Sequence, residues 1–190
     1  MDLDLLKHSI NKHIFLSEEE WIRVLTFIHL KSLIKGDILL WQVEVCSFIA
    51  FLLSGNVIYY QLTENGDEIT TDFAFEGEWV TDNSSRIGQS PSQLNIKIIE
   101  ETELATILQN DLEELFKQVP AMERVARLLI EQAYVRLVHL SIDLQILYAE
   151  ERYIKLVYHS PEAFQRLLLY HIFNYLGIAS KSLSRIRNKK

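Results

Sequence analysis

Seven of the chain's 19 lysines and arginines fall between residues 155 and 190: Lys155, Arg166, Lys181, Arg185, Arg187, Lys189 and Lys190. They face a single acid there, Glu162. The 154 residues before them carry 12 basic and 25 acidic side chains. A net charge of −7 would argue against a nucleic-acid partner. The segregation says otherwise, because clustered cations attract polyanions whatever the sign of the whole molecule. The chemistry open to this end of the chain is phosphate binding.

Other chemistries are poorly supplied. The six histidines are His8, His13, His29, His139, His159 and His171. None lies in the strand-like middle of the chain, where a metal enzyme built on a β-roll would need clustered imidazoles. One cysteine, Cys46, excludes an internal disulfide and a cysteine-ligated iron–sulfur cluster. Haem would need an axial ligand from Cys46 or a helical histidine, side chains whose usual role is packing. No phosphate loop, Gly-x-Ser-x-Gly or His-Glu-x-x-His is present. Glu100-Glu101 and Glu150-Glu151 are adjacent carboxylates that diverge on a strand or helix. No catalytic residue, metal site or cofactor is expected, and the chain reads as a non-enzyme. No apolar run approaches the ~20 residues that cross a bilayer, and the N-terminus starts acidic. A soluble cytoplasmic protein without a membrane partner is expected.

The elements that must position the basic segment can be read from periodicity. Residues 1 to about 30 suit helix, with a capping box of Ser17 and Glu20 before Trp21, Val24, Leu25 and Ile28. From residue 33 to 108 short apolar runs alternate with turns such as Lys35-Gly36-Asp37, Ser54-Gly55-Asn56 and Glu64-Asn65-Gly66-Asp67. That pitch predicts an antiparallel sandwich or roll. Pro120 suits the first turn of a long helix running to about Leu147. Two apolar seams run along it. One passes through Val125, Leu128, Gln132, Val135, His139 and Ile142, the other through Met122, Leu129, Leu137, Leu140 and Leu144. Two seams imply contacts on two sides, one with the roll and one with a second copy of the helix. The alternative is a helix buried on both sides within one chain. A helix over 150–159 stops at Ser160-Pro161. Stretches 164–176 and 180–190, joined by Gly177-Ile178-Ala179, have the length of a helix-turn-helix.

On these residues the chain resembles the Crp/Fnr family of bacterial regulators. Leu147-Tyr-Ala-Glu-Glu-Arg-Tyr153 is similar to the family's lead into its DNA-binding domain, and residues 165–187 resemble its helix-turn-helix almost throughout. The resemblance implies an α+β fold in three parts. Residues 1–119 would form a cyclic nucleotide-binding-like β-roll (jelly-roll) sensory domain with flanking helices. Residues 120–147 would form a dimerisation helix, and 148–190 a helix-turn-helix domain lacking a full wing. It implies double-stranded DNA with a palindromic operator, a homodimer, RNA polymerase and an unknown small-molecule effector as partners. Ser180, Lys181 and Arg185 would read base edges, Arg185 foremost because a guanidinium matches guanine's groove edge. Ser184 would face outward with them. Ser182, Arg187, Lys189 and Lys190 would hold phosphates. The family's helix-turn-helix usually carries alanine where this chain has Phe173.

The effector pocket departs from the family's cyclic-nucleotide cassette. Val80-Thr81-Asp82 stands where Phe-Gly-Glu is expected, and Ser92 or Gln93 at the phosphate-binding arginine. Arg86 could substitute from another position. Phe73, Phe75 and Trp79 could line a pocket or simply pack. Trp79, Thr81, Asp82, Arg86 and Ser92 are the candidate pocket residues, and cyclic AMP is not the expected ligand. An uncharged or cationic ligand, or none, fits better. The rival function is a regulator that has lost DNA binding and acts through protein contacts.

Overall fold

The computed structural model describes residues 3–178. Two short helices open it, α1 (Asp4–Asn11) and α2 (Glu18–Leu25). Ser17 and Glu20 form the capping box at the start of α2: Ser17 Oγ accepts from the Glu20 amide at 3.2 Å and Glu20 Oε2 accepts from the Ser17 amide at 2.8 Å. Those bonds hold the Glu20 carboxyl below its ordinary pKa.

Eight strands follow: β1 (His29–Leu33), β2 (Ile38–Leu40), β3 (Phe48–Ser54), β4 (Asn56–Leu62), β5 (Glu68–Phe75), β6 (Trp79–Val80), β7 (Asn95–Ile98) and β8 (Thr102–Leu108). A six-residue helix, α3 (Asn83–Gly88), interrupts them. Two four-stranded sheets result, ordered β1-β8-β3-β6 and β2-β7-β4-β5. In the first, β8 lies antiparallel between β1 and β3, with Lys31 opposite Leu104 and Ala50 opposite Thr106.

The period of two along β3 divides the apolar side chains between two cores. Phe48, Ala50 and Leu52 face the roll interior with Leu40, Val57, Val80, Ile96, Ile98 and Leu104. Phe51 faces the other way, into a cluster with Leu6, Ile10, Trp21 and Val24 of the opening helices. The same cluster takes in Leu112 and Leu115 of α4 (Leu112–Gln118) and Met122 and Val125 at the start of α5 (Ala121–Ile146). After α5 come α6 (Ala149–His159), α7 (Ala163–Arg166) and α8 (Leu169–Leu176).

The chain divides into two compact units, one comprising residues up to 59 with 73–131, the other 60–72 with the chain from 132 onward. Three elements differ from the sequence expectation. The N-terminal helical region is two helices, and the chain is already a strand at His29. β1 is exposed along nearly its whole length, so no alternating burial marks it in the sequence; its pairing with β8 makes it a strand. The helix expected over 164–176 breaks at Leu167 and Leu168, both in extended backbone. Leu167 is buried there, as a continuous exposed helix would not have it.

Candidate functional site

Of the candidate pocket residues, Asp82 is the organiser. Its run Asp82-Asn83-Ser84-Ser85 is a helix-start signature, since a carboxylate at the N-cap accepts the first free amides. Asp82 Oδ1 accepts from the amides of Ser84 (3.0 Å) and Ser85 (3.2 Å) and from Ser84 Oγ (2.8 Å). Ser92 Oγ lies 2.8 Å from both Asp82 Oδ2 and the Leu94 carbonyl, with one proton to share between them. Thr81 Oγ1 donates to the Phe48 carbonyl at 2.8 Å, and Ser85 Oγ accepts from the Cys46 amide at 2.9 Å. The structure therefore brings Thr81, Asp82, Arg86 and Ser92 together around α3.

Arg86 is 6% exposed and has no carboxylate partner among the described residues. Nη1 donates to Gln109 Oε1 and Nη2 to Asn83 Oδ1, each at 2.8 Å, while Nε has no partner. Burial pushes its pKa below the usual guanidinium range. A buried cation held by neutral amides is costly. Sequence reasoning found Arg86 but not Gln109, which sits 23 positions away and carries no local signal.

Trp79 falls elsewhere. It is half-buried, its ring meets Phe51 edge-on at 5.1 Å, and it packs with the helix-side core rather than the roll interior. Phe73 and Phe75 meet edge-on at 5.6 Å and flank Ala74, which faces the interior, so they too point out of it. The aromatic lining considered from sequence is packing.

Asp82→Ala is expected to lower stability by about 1–3 kcal/mol, from the lost cap and the stranded Ser92 hydroxyl. Urea unfolding checks this; an unchanged midpoint would show that Asp82 is free for a ligand instead.

The second candidate region is helical. The expected interface residues divide. Val125 is 1% exposed in the chain's own core, a correction to its placement at a dimer seam: the first turn of α5 lies among α1, α2 and α4. Leu128 is half-buried, and Gln132, Val135, His139 and Ile142 are exposed. Leu137 and Leu144 of the second seam are also exposed, and with Ile130 and Tyr134, which lie on neither seam, they form a stripe spaced four, three and seven apart.

At the tip of the β4–β5 hairpin, Glu68's carbonyl accepts from Tyr170 Oη and, at 3.1 Å, from Asn174 Nδ2. Thr70 Oγ1 lies 2.8 Å from Nδ1 of the buried His171, and Arg136 pairs with Asp72 at 2.5 Å. Burial, then the Glu68 carboxylate, pushes the Tyr60 phenol above its ordinary pKa. Ser180, Lys181, Ser182, Ser184, Arg185, Arg187 and Lys189 lie outside the described residues, as does Lys190. Among the described residues no helix is long and apolar enough to cross a membrane, and no group of three or more His, Cys, Asp or Glu could hold a metal ion.

The family model of the cyclic nucleotide-binding domain matches residues 30–119, the stretch that holds these sheets and their inserted helix. Solved structures of Crp-type regulators share the fold over more of the chain. The c-di-GMP responsive global regulator CLP of Xanthomonas campestris is 18% identical, with 91% of each chain covered and a TM-score of 0.70. A CooA variant from Carboxydothermus hydrogenoformans is 16% identical over 87% of this chain and 77% of that one, TM-score 0.68. The catabolite activator protein of Thermus thermophilus is 19% identical over 95% and 85%, TM-score 0.57. Among curated proteins none matches.

Proposed function

We propose that this chain is a sequence-specific DNA-binding transcriptional regulator acting as a homodimer. Residues 1–119 are the sensory domain, 120–147 the dimerising helix and 148–190 the DNA-reading domain. The observation that carries the reading is α5: a 26-residue helix whose second half is apolar and exposed in the single chain, leading through α6–α8 toward the basic segment. A helix of that kind needs a partner, and a second copy supplies the same surface in return. Two recognition helices spaced about 34 Å apart then read a palindrome. The self-satisfied Asp82 and the amide-held Arg86 support a sensory domain that does not take cyclic AMP by the usual carboxylate–arginine route.

The test is selection of bound sequences from a random duplex pool. An enriched palindrome is expected. Arg185→Ala is expected to weaken binding to that palindrome about 30- to 20,000-fold, the worth of one bidentate base contact in each half-site. No enrichment from a dimeric wild type would sink DNA reading and favour a regulator acting by protein contact.

A further inference from the structure

Helices end on carbonyls that have no intrahelical partner and carry partial negative charge. Two such ends meet at α6. Arg152, in the first turn of α6, donates from Nη1 to the Leu147 carbonyl at 2.6 Å, just past the end of α5. Its Nε donates to the Leu176 carbonyl at 2.8 Å, the last residue of α8, and Nη2 reaches the Gly177 carbonyl at 3.5 Å. None of the three acceptors belongs to α6. An arginine that merely stabilised its own helix would bond to that helix or to solvent.

The surrounding geometry leaves little slack. Gly177 closes α8 in a left-handed turn, φ +62°. A Cβ there would lie 3.5 Å from Leu144 Cδ2 on the last turn of α5 and 4.0 Å from Arg152 Nη2. α6 opens on its own capping bond, Glu151 Oε2 accepting from the Tyr148 amide at 2.7 Å, and is joined to α5 where Lys155 pairs with Asp143. The chain beyond Ile178 thus starts from a turn that one guanidinium ties to the end of α5.

We propose that Arg152 is the positioning residue of the DNA-reading end. It clamps the carbonyl end of α8 to the carbonyl end of α5, so that the segment following Gly177 takes its direction from the dimerising helix. A planar fork suits this task, since its donors diverge toward two separate acceptors; an ammonium is a point charge. The consequence for DNA rests on the regulator reading above, but the clamp itself does not.

The experiment compares the full-length wild type with Arg152→Ala, Arg152→Lys and Arg152→Gln. Hydrogen exchange reads residues 169–178, with β3 and β8 as internal controls, and duplex titrations over a salt series use the selected palindrome. Arg152→Ala is expected to speed exchange over 169–178 about tenfold or more, with the strands unchanged. Arg152→Lys is expected to fall between, and Arg152→Gln, which keeps a donor, serves if alanine unfolds the chain. Palindrome affinity should drop about tenfold with an unchanged salt slope, because no phosphate contact is removed. Unchanged exchange over 169–178 overturns the clamp. A salt slope smaller by about two, one contact for each protomer, overturns the positioning role, since Arg152 would then be a phosphate ligand. A wild type that binds no duplex sinks the regulator reading, and the exchange arm still decides the clamp.

Discussion

Gly55→Ala is expected to destabilise the β-roll by about 2–6 kcal/mol, combining backbone strain with overpacking. Gly55 holds φ +87° between β3 and β4. A Cβ on it would lie 2.2 Å from Thr102 Oγ1, 2.6 Å from the Glu101 carbonyl and 2.8 Å from Thr102 Cα. Two of those three atoms are backbone, and the third is a hydroxyl that donates to the Glu100 carbonyl at 2.8 Å. Rotating one side chain away cannot relieve the contact. Gly66 supplies the comparison: its φ is +84°, yet nothing lies within 4 Å of a built Cβ. Gly66→Ala therefore carries the strain alone, about 1–3 kcal/mol. Thermal melts separate the two, with Gly55→Ala expected lower by roughly 2–12 °C. Equal melting temperatures for both variants would show that β3, β4 and β8 adjust freely around this turn, against the packing described.

Leu137→Asp is expected to turn a dimer into a monomer. Leu137 is 63% exposed in the single chain, so a carboxylate there should change monomer stability by no more than about 0.5 kcal/mol. In a two-fold dimer each substitution occurs twice. Losing two buried leucine side chains removes about 3–6 kcal/mol of association free energy, roughly a 100- to 10,000-fold rise in the dimer dissociation constant. Palindrome binding should fall with it, since the half-sites are then engaged singly. Val135→Asp, on the other seam and 51% exposed, is the companion variant. Whichever of the two dissociates the dimer at micromolar concentration in light scattering identifies the seam. A monomeric wild type, or a dimer indifferent to both substitutions, would refute the assembly.

The sequence by itself determined the roll, because short apolar runs such as 48–53 and 57–62, bounded by turn residues, suit buried strands, and it determined the long helix, because the apolar period of α5 persists for seven turns. The start of α2 was equally plain, since a capping box is written in four consecutive residues. Local signals of this kind survive without knowledge of the partner. The basic end was legible as composition, and Asp82 and Arg86 as residue types without an assigned setting.

Only the tertiary structure decided what those residues face. β1 is a strand through its pairing with β8, and Leu167 breaks a helix by being drawn into a core; neither preference is local. Asp82 became a helix cap because Ser84, Ser85 and Ser92 converge on it. Arg86 meets Gln109 across 23 residues, and Arg152 meets Leu176 across 24. A side chain's bonding capacity is a property of its type, but which acceptors stand within 3 Å is settled by how distant segments pack. Val125 makes the same point on α5: its spacing placed it on a seam, and the fold turned that end of the seam inward.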